Sequence, residues 1–163
     1  MRPKVSVAMA TYNGEKYIKE QIKTILDCLE ENDELVISDD GSTDNSGLLL
    51  EQWCNKVPDI FQVIHSDRDR GPGGARNLGI AKATGSYIGW KQSFLNLVYA
   101  ADNVYDYYGF SDQDDIWEKD KVTEVIKCFE KENCTLVVHD AEVVDENLNM
   151  VMSSYYSYRN SGK

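Results

Sequence analysis

Three carboxylates fall within four positions at Asp112, Asp114 and Asp115, and the run that holds them, SDQDDIW (residues 111–117), goes straight on into isoleucine and tryptophan. Solvated acidic runs are usually flanked by Lys, Ser or Gly, so these carboxylates read as converging on something positive. Hard divalent cations such as Mg²⁺ and Mn²⁺ take oxygen ligands, usually one or two carboxylates together with substrate phosphates. Asp112 and Asp114 lie two apart, which puts them on one side of an extended chain with Gln113 pointing away. Ile116 and Trp117 would then pack inward and hold the loop. The competing reading is that Asp114 or Asp115 caps the helix expected from about residue 119 and complements its dipole.

Other polar clusters share that setting. In DDGSTD (residues 39–44), Asp40 is placed to accept hydrogen bonds from a heterocycle or from ribose hydroxyls, with Gly41 supplying the sharp turn. Ser42 and Asp44 read as turn chemistry, with Ser42 or Thr43 capping the next helix. TYNG (residues 11–14) sets Tyr12 on a cleft lip, where its ring can stack on a base. RDRGPGGARN carries Arg68, Arg70 and Arg76 in a Gly-rich loop before a helix, a basic segment suited to an anionic diphosphate.

The elements that must position these groups follow from periodicity. Short apolar runs at 5–10, 34–38, 61–65, 86–90, 105–110 and 135–140 read as strands. Helical spacing marks 15–29, a segment ending near Cys54, 75–83, 91–101 and 119–132. Strands alternating with helices imply a parallel sheet with right-handed crossovers, in which ligands bind beyond the carboxyl ends of the strands. TYNG, DDGS, SDQDD and the HD pair at 139–140 each follow a predicted strand, so they gather on one edge.

Composition sets the outer bounds. The chain has 163 residues, enough for one domain, and a formal charge of −11, from 17 basic and 28 acidic side chains. That field repels a phosphate backbone, so nucleic acid is not expected as a partner. Four cysteines without metal-ligand spacing read as reduced thiols of a cytoplasmic protein, with no zinc and no disulfide framework. No apolar run approaches the length of a membrane span or of a signal peptide's core.

Taken together and in order, VSVAMATYNGEKYI, VISDDGSTDNS, GGARNLGIAKATGSYI and FSDQDDIW resemble the inverting family 2 glycosyltransferases, over residues 4–151. The resemblance implies an α/β architecture of the GT-A nucleotide-diphospho-sugar transferase type, a Rossmann-like, mostly parallel sheet flanked by helices. Residues 1–152 would be the donor-binding domain, and 153–163 a tail toward an acceptor-binding segment expected outside this chain. It also implies metal-dependent, hexosyltransferase-type transfer from a UDP-, dTDP- or GDP-sugar to the hydroxyl of a glycan or lipid-linked acceptor. The SDQDDIW form resembles bacterial enzymes of cell-surface polysaccharide assembly, rhamnosyltransferase-like members among them. The full-length enzyme would work in the cytoplasm, at the inner face of the membrane as a peripheral protein.

Carried over by position, Thr11, Tyr12, Asn13 and Asp40 would hold the nucleotide, with Asp40 on the base's edge and Tyr12 against its face. Asp112 and Asp114 match the D-x-D element that holds Mg²⁺ or Mn²⁺, Asp114 directly and Asp112 nearer the ribose or a metal-bound water. Arg76, or Arg70, would face the diphosphate. Two departures from the family pattern stand out. Residues 91–110 read as an extra helix–strand unit ahead of the acidic motif. The family's catalytic base lies in a later segment, and the late polar residues His139, Asp140 and Glu142 match a strand beside the donor site better than a base. Two other readings remain open. A non-catalytic sugar-nucleotide-binding module would bind nucleotide and transfer nothing. A receiver-like phosphoacceptor domain would need paired acids after its first strand and a Lys after its last, where TYNG and HD stand instead.

Overall fold

The run VSVAMAT forms β1 (Val5–Thr11) and ELVISD forms β2 (Glu34–Asp39), both buried almost throughout, as befits parallel strands covered on two faces. The computed structural model describes residues 2–39, 41–65 and 104–156. With β3 (Phe61–His65) and β4 (Tyr107–Ser111), β1 and β2 form, among the described residues, a four-stranded parallel sheet in the order β3-β2-β1-β4. The chain thus steps outward from β1 through β2 to β3, then returns to place β4 on the other side of β1. The order reverses between β1 and β4, and in open α/β sheets that reversal is where the ligand crevice lies. Register aligns the carboxyl ends: Thr11 pairs with Asp39, Asp39 with His65, and Met9 with Ser111.

Helix α1 (Ile18–Leu26) buries Ile18, Gln21, Ile22 and Ile25, a stripe at helical spacing. It is shorter than the periodicity predicts because the Gly14 carbonyl accepts the amides of both Tyr17 and Ile18, closing a turn before the helix begins. Helix α2 (Ser46–Lys56) buries Leu50. Ser42 and Thr43 do not cap it, contrary to expectation. Their hydroxyls bond elsewhere, and the Asp44 carboxylate accepts the Ser46 amide at 2.9 Å in their place. At the amino end of the sheet, buried Asp33 accepts the Val5 amide (2.9 Å), the Glu30 amide (2.9 Å) and the Arg2 guanidinium (2.7 Å). The loop before β2 is thereby tied to the first residue of β1.

The chain divides into two compact units, Met1–Thr123 and Glu124–Lys163. Helix α3 (Lys121–Glu132) begins at the end of the first. In the second, β5 (Val143–Val144) and β6 (Met150–Met152) form an antiparallel hairpin. Its turn closes on Asp145, whose carboxylate accepts the amides of Asn147 and Asn149. The expected strand at 135–140 is not formed. Leu136 and Val138 alternate as a strand requires, but they are 73% and 67% exposed, and no neighbouring ladder receives them among the described residues. The helices expected at 75–83 and 91–101 and the strand at 86–90 lie outside the described residues. Among those described, no helix is long and apolar enough to cross a membrane.

Candidate functional site

Two loops meet beyond the carboxyl ends of β1 and β4. The first is the TYNG turn. Asn13 takes a left-handed conformation (φ 49°), which asparagine tolerates better than most residues. Its amide donates to the Ser42 hydroxyl (2.9 Å), and its side-chain oxygen accepts the Thr43 amide (2.8 Å). The Gly14 amide donates to the Ser46 hydroxyl, the Glu15 amide to Asp44, and the Asn45 amide to Glu15. The loops after β1 and β2 are thus laced together, with Tyr12 half-buried on the exposed side.

Asp39 is the last residue of β2. It is buried and accepts the amide and hydroxyl of Ser42. Desolvation raises the Asp44 pKa, but the donors Ser46 and Glu15 outweigh it and hold this carboxyl below its ordinary range. Asp40, assigned to the nucleobase, and Arg76, assigned to the diphosphate, lie outside the described residues, as do Arg68 and Arg70.

The second loop is SDQDD. The strand conformation that alternation predicted for 112–114 ends at Ser111, and the chain turns at Gln113 and Asp114. Gln113 therefore does not point away. Its Oε1 accepts the Thr11 hydroxyl (2.8 Å) and the Tyr12 amide (2.9 Å), and its Nε2 donates to the Tyr12 carbonyl (3.4 Å). Asp112, Asp114 and Asp115 are exposed. Helix α3 starts at Lys121, so neither Asp114 nor Asp115 sits in its first turn.

Beneath the loop, the Gln21 amide donates to the buried Ser111 hydroxyl. Of the two apolar residues that follow, only Trp117 packs inward as expected: it is 6% exposed, its backbone amide donates to the Thr24 hydroxyl, and Lys121 lies over its ring. Ile116 is 45% exposed. Gln113, Gln21 and Gly14 are the site residues that sequence reasoning missed. For Gln113 the signal was an amide side chain set between two aspartates; nothing in the sequence singled out Gln21 or Gly14.

Among the described residues no group of three or more His, Cys, Asp or Glu side chains is placed to hold a metal ion. Asp112 and Asp114, two exposed carboxylates at the sheet's reversal point, fit the other mode, in which Mg²⁺ or Mn²⁺ takes one or two carboxylates and completes its shell from phosphates and water. The late polar residues stand apart from this chemistry. His139 is exposed and contacts the carbonyl of its own neighbour, Asp140. The Asp140 carboxyl is held below its ordinary range by the Ser154 hydroxyl and then by the amides of Ala141, Tyr156 and Tyr155, which makes it an anchor for residues 141–156.

Known proteins place this arrangement. The pattern of "Glycosyl transferase family 2" matches residues 6–91, more than half of the chain. The dTDP-rhamnosyl transferase RfbG of Shigella flexneri is 37% identical over 129 residues, covering 77% of this chain and 39% of that protein. Two solved structures share the fold at 22% identity. TarS of S. aureus (residues 1–349), in complex with UDP-GlcNAc, superposes with a TM-score of 0.58 over 86% of this chain and 40% of its own. The mannosyltransferase PcManGT of Pyrobaculum calidifontis, in complex with GDP-Man and Mn²⁺, gives 0.56 over 79% and 33%. The chain spans about two-fifths or less of the length of these proteins. The parallel sheet reversing at β1 and β4 is that of the GT-A fold, and the chain belongs to glycosyl transferase family 2.

Proposed function

We propose that this chain is the donor-binding part of an inverting, metal-dependent glycosyltransferase. It would move a sugar from a UDP-, dTDP- or GDP-sugar to the hydroxyl of a glycan or lipid-linked acceptor during cell-surface polysaccharide assembly. The observation that carries the reading is the meeting of the TYNG and SDQDD loops at the β1–β4 reversal, an aromatic lip on one side and exposed carboxylates on the other. The donors bound to TarS and PcManGT, and the dTDP-rhamnosyl transfer named for RfbG, support the same substrate class.

In this reading the Tyr12 ring lies against the nucleobase, a contact worth roughly 1–3 kcal/mol. Thr11 is buried and the Asn13 side chain engages Thr43, so both serve the nucleotide as the frame that holds Tyr12. Asp40 is assigned to the base's edge and Arg76 to the diphosphate, on the sequence pattern. Asp112 and Asp114 would hold Mg²⁺ or Mn²⁺, which when bound supplies charge neutralisation for the departing diphosphate. The protein's part is to fix the donor with its anomeric carbon open to attack from the opposite face. No residue of this chain is assigned as the base that takes the acceptor's proton.

Calorimetric titration with UDP, GDP and dTDP in the presence of Mn²⁺ tests the assignment and identifies the base. One of the three binds the wild-type chain. Asp114→Ala lowers that affinity at least tenfold, about 1.4 kcal/mol, while the circular dichroism spectrum is unchanged. Equal affinity in the variant would reject the site.

A further inference from the structure

Gln113 occupies the place where the β1–β4 ladder stops. Backbone pairing between the two strands ends at Met9 and Ser111, so Thr11 stands opposite residue 113. There the backbone of the β4 segment turns away, and the Gln113 side chain takes over the pairing. It accepts from the Tyr12 amide and the Thr11 hydroxyl and donates to the Tyr12 carbonyl. An amide side chain is suited to this because it offers an acceptor and a donor together, as a peptide group does. A glutamate there would lose the donor and add a fourth carboxylate to Asp112, Asp114 and Asp115. The space for the amide comes from Gly14: a Cβ there would lie 2.8 Å from both Gln113 Oε1 and Thr11 Oγ1, so any other residue must push these side chains from their present positions.

The consequence is geometric. Gln113 is flanked in sequence by the two carboxylates assigned to the cation and bonded on both sides of the Tyr12 residue assigned to the base. One side chain therefore sets the distance between the two halves of the site. Resting on the donor-site reading above, the geometry points to Gln113 as a positioning residue that couples them, so that cation and nucleotide bind cooperatively. Gly14 is its steric partner.

The coupling is read as the ratio of nucleotide affinity with Mn²⁺ to that in EDTA, or reciprocally as Mn²⁺ affinity with and without nucleotide. The nucleotide is whichever of UDP, GDP and dTDP the wild-type chain binds. Gln113→Leu removes the amide, and Gly14→Ala displaces it while leaving it in the sequence. Both variants lower the ratio by at least about fivefold, within the usual span of coupling factors, because affinity in Mn²⁺ falls further than affinity in EDTA, while each variant still unfolds cooperatively.

A wild-type ratio in both variants overturns the inference while leaving the donor site standing. Equal loss of metal-free and metal-bound affinity, or failure of both variants to fold, assigns Gln113 to structure alone and overturns it as well. A wild-type chain that binds none of the three nucleotides with Mn²⁺ rejects the donor-site reading itself and takes this inference with it.

Discussion

Asp44 shows how much of this site is scaffolding. Its carboxylate joins the loops after β1 and β2 by accepting from the Glu15 and Ser46 amides, and these bonds hold it in the ionised form despite partial desolvation. A carboxyl whose folded pKa is depressed adds stability that is fully present above its unfolded pKa, about 3.9, and lost as pH falls through the lower folded value. Asp44→Ala should therefore cost about 1 kcal/mol at neutral pH, with the difference from wild type closing as the pH drops below that of an ordinary aspartate. Urea unfolding at a series of pH values checks this, and a gap independent of pH would contradict it.

At this scale the sequence was most informative about exposed chemistry. The crowding of Asp112 and Asp114 beside Ile116 and Trp117 is legible in the sequence, and the structure leaves both carboxylates exposed beyond β4, while their part in holding a cation belongs to the proposal. Gln113 was misplaced because a period of two was extended past the end of β4, and where a chain leaves its strand is decided by hydrogen bonds that no residue type announces.

At the scale of elements, Asp33 stands to the sheet's amino end as Gln113 stands to its carboxyl end. Its side chain is 1% exposed and binds Arg2 and the amides of Val5 and Glu30, so the start of β1 and the approach to β2 share one carboxylate. Asp33→Ala would orphan two amides and leave the partly buried Arg2 guanidinium with Glu30 as its remaining carboxylate partner. The expected cost is about 3 kcal/mol, measured by denaturant unfolding with the slope unchanged, and a loss below about 1 kcal/mol would show that water substitutes freely.

The first three strands were readable to within a residue because a short apolar run bounded by turn residues has few alternatives inside an α/β domain. The strand expected at 135–140 failed on the complementary point. Alternation says which face a strand would bury, but a strand also needs a neighbour to pair with, and Leu136 and Val138 have none among the described residues. Helix ends were missed by up to three residues where turns such as the one on the Gly14 carbonyl take the first or last amides.

For the whole molecule, the decisive property is the order of strands, which periodicity does not contain. Alternating strands and helices imply a parallel sheet, but only the order β3-β2-β1-β4 puts the reversal between the strands that carry TYNG and SDQDD. The sequence put both motifs on one edge of the sheet and the resemblance gave them a common task, but neither named the strands between which the order reverses. The net charge of −11 adds a constraint of its own: under the proposed function, an anionic donor would have to be drawn in against the global field by a local cation, and the acidic loop would be half of that site. The measurement that tests this most directly is a crystal of the full chain soaked with Mn²⁺ and the nucleoside diphosphate it binds. The account predicts the ion against Asp112 and Asp114 and the base over Tyr12, bridged by the diphosphate. An ion and nucleotide bound away from the β1–β4 reversal, with these aspartates left in bulk water, would contradict it.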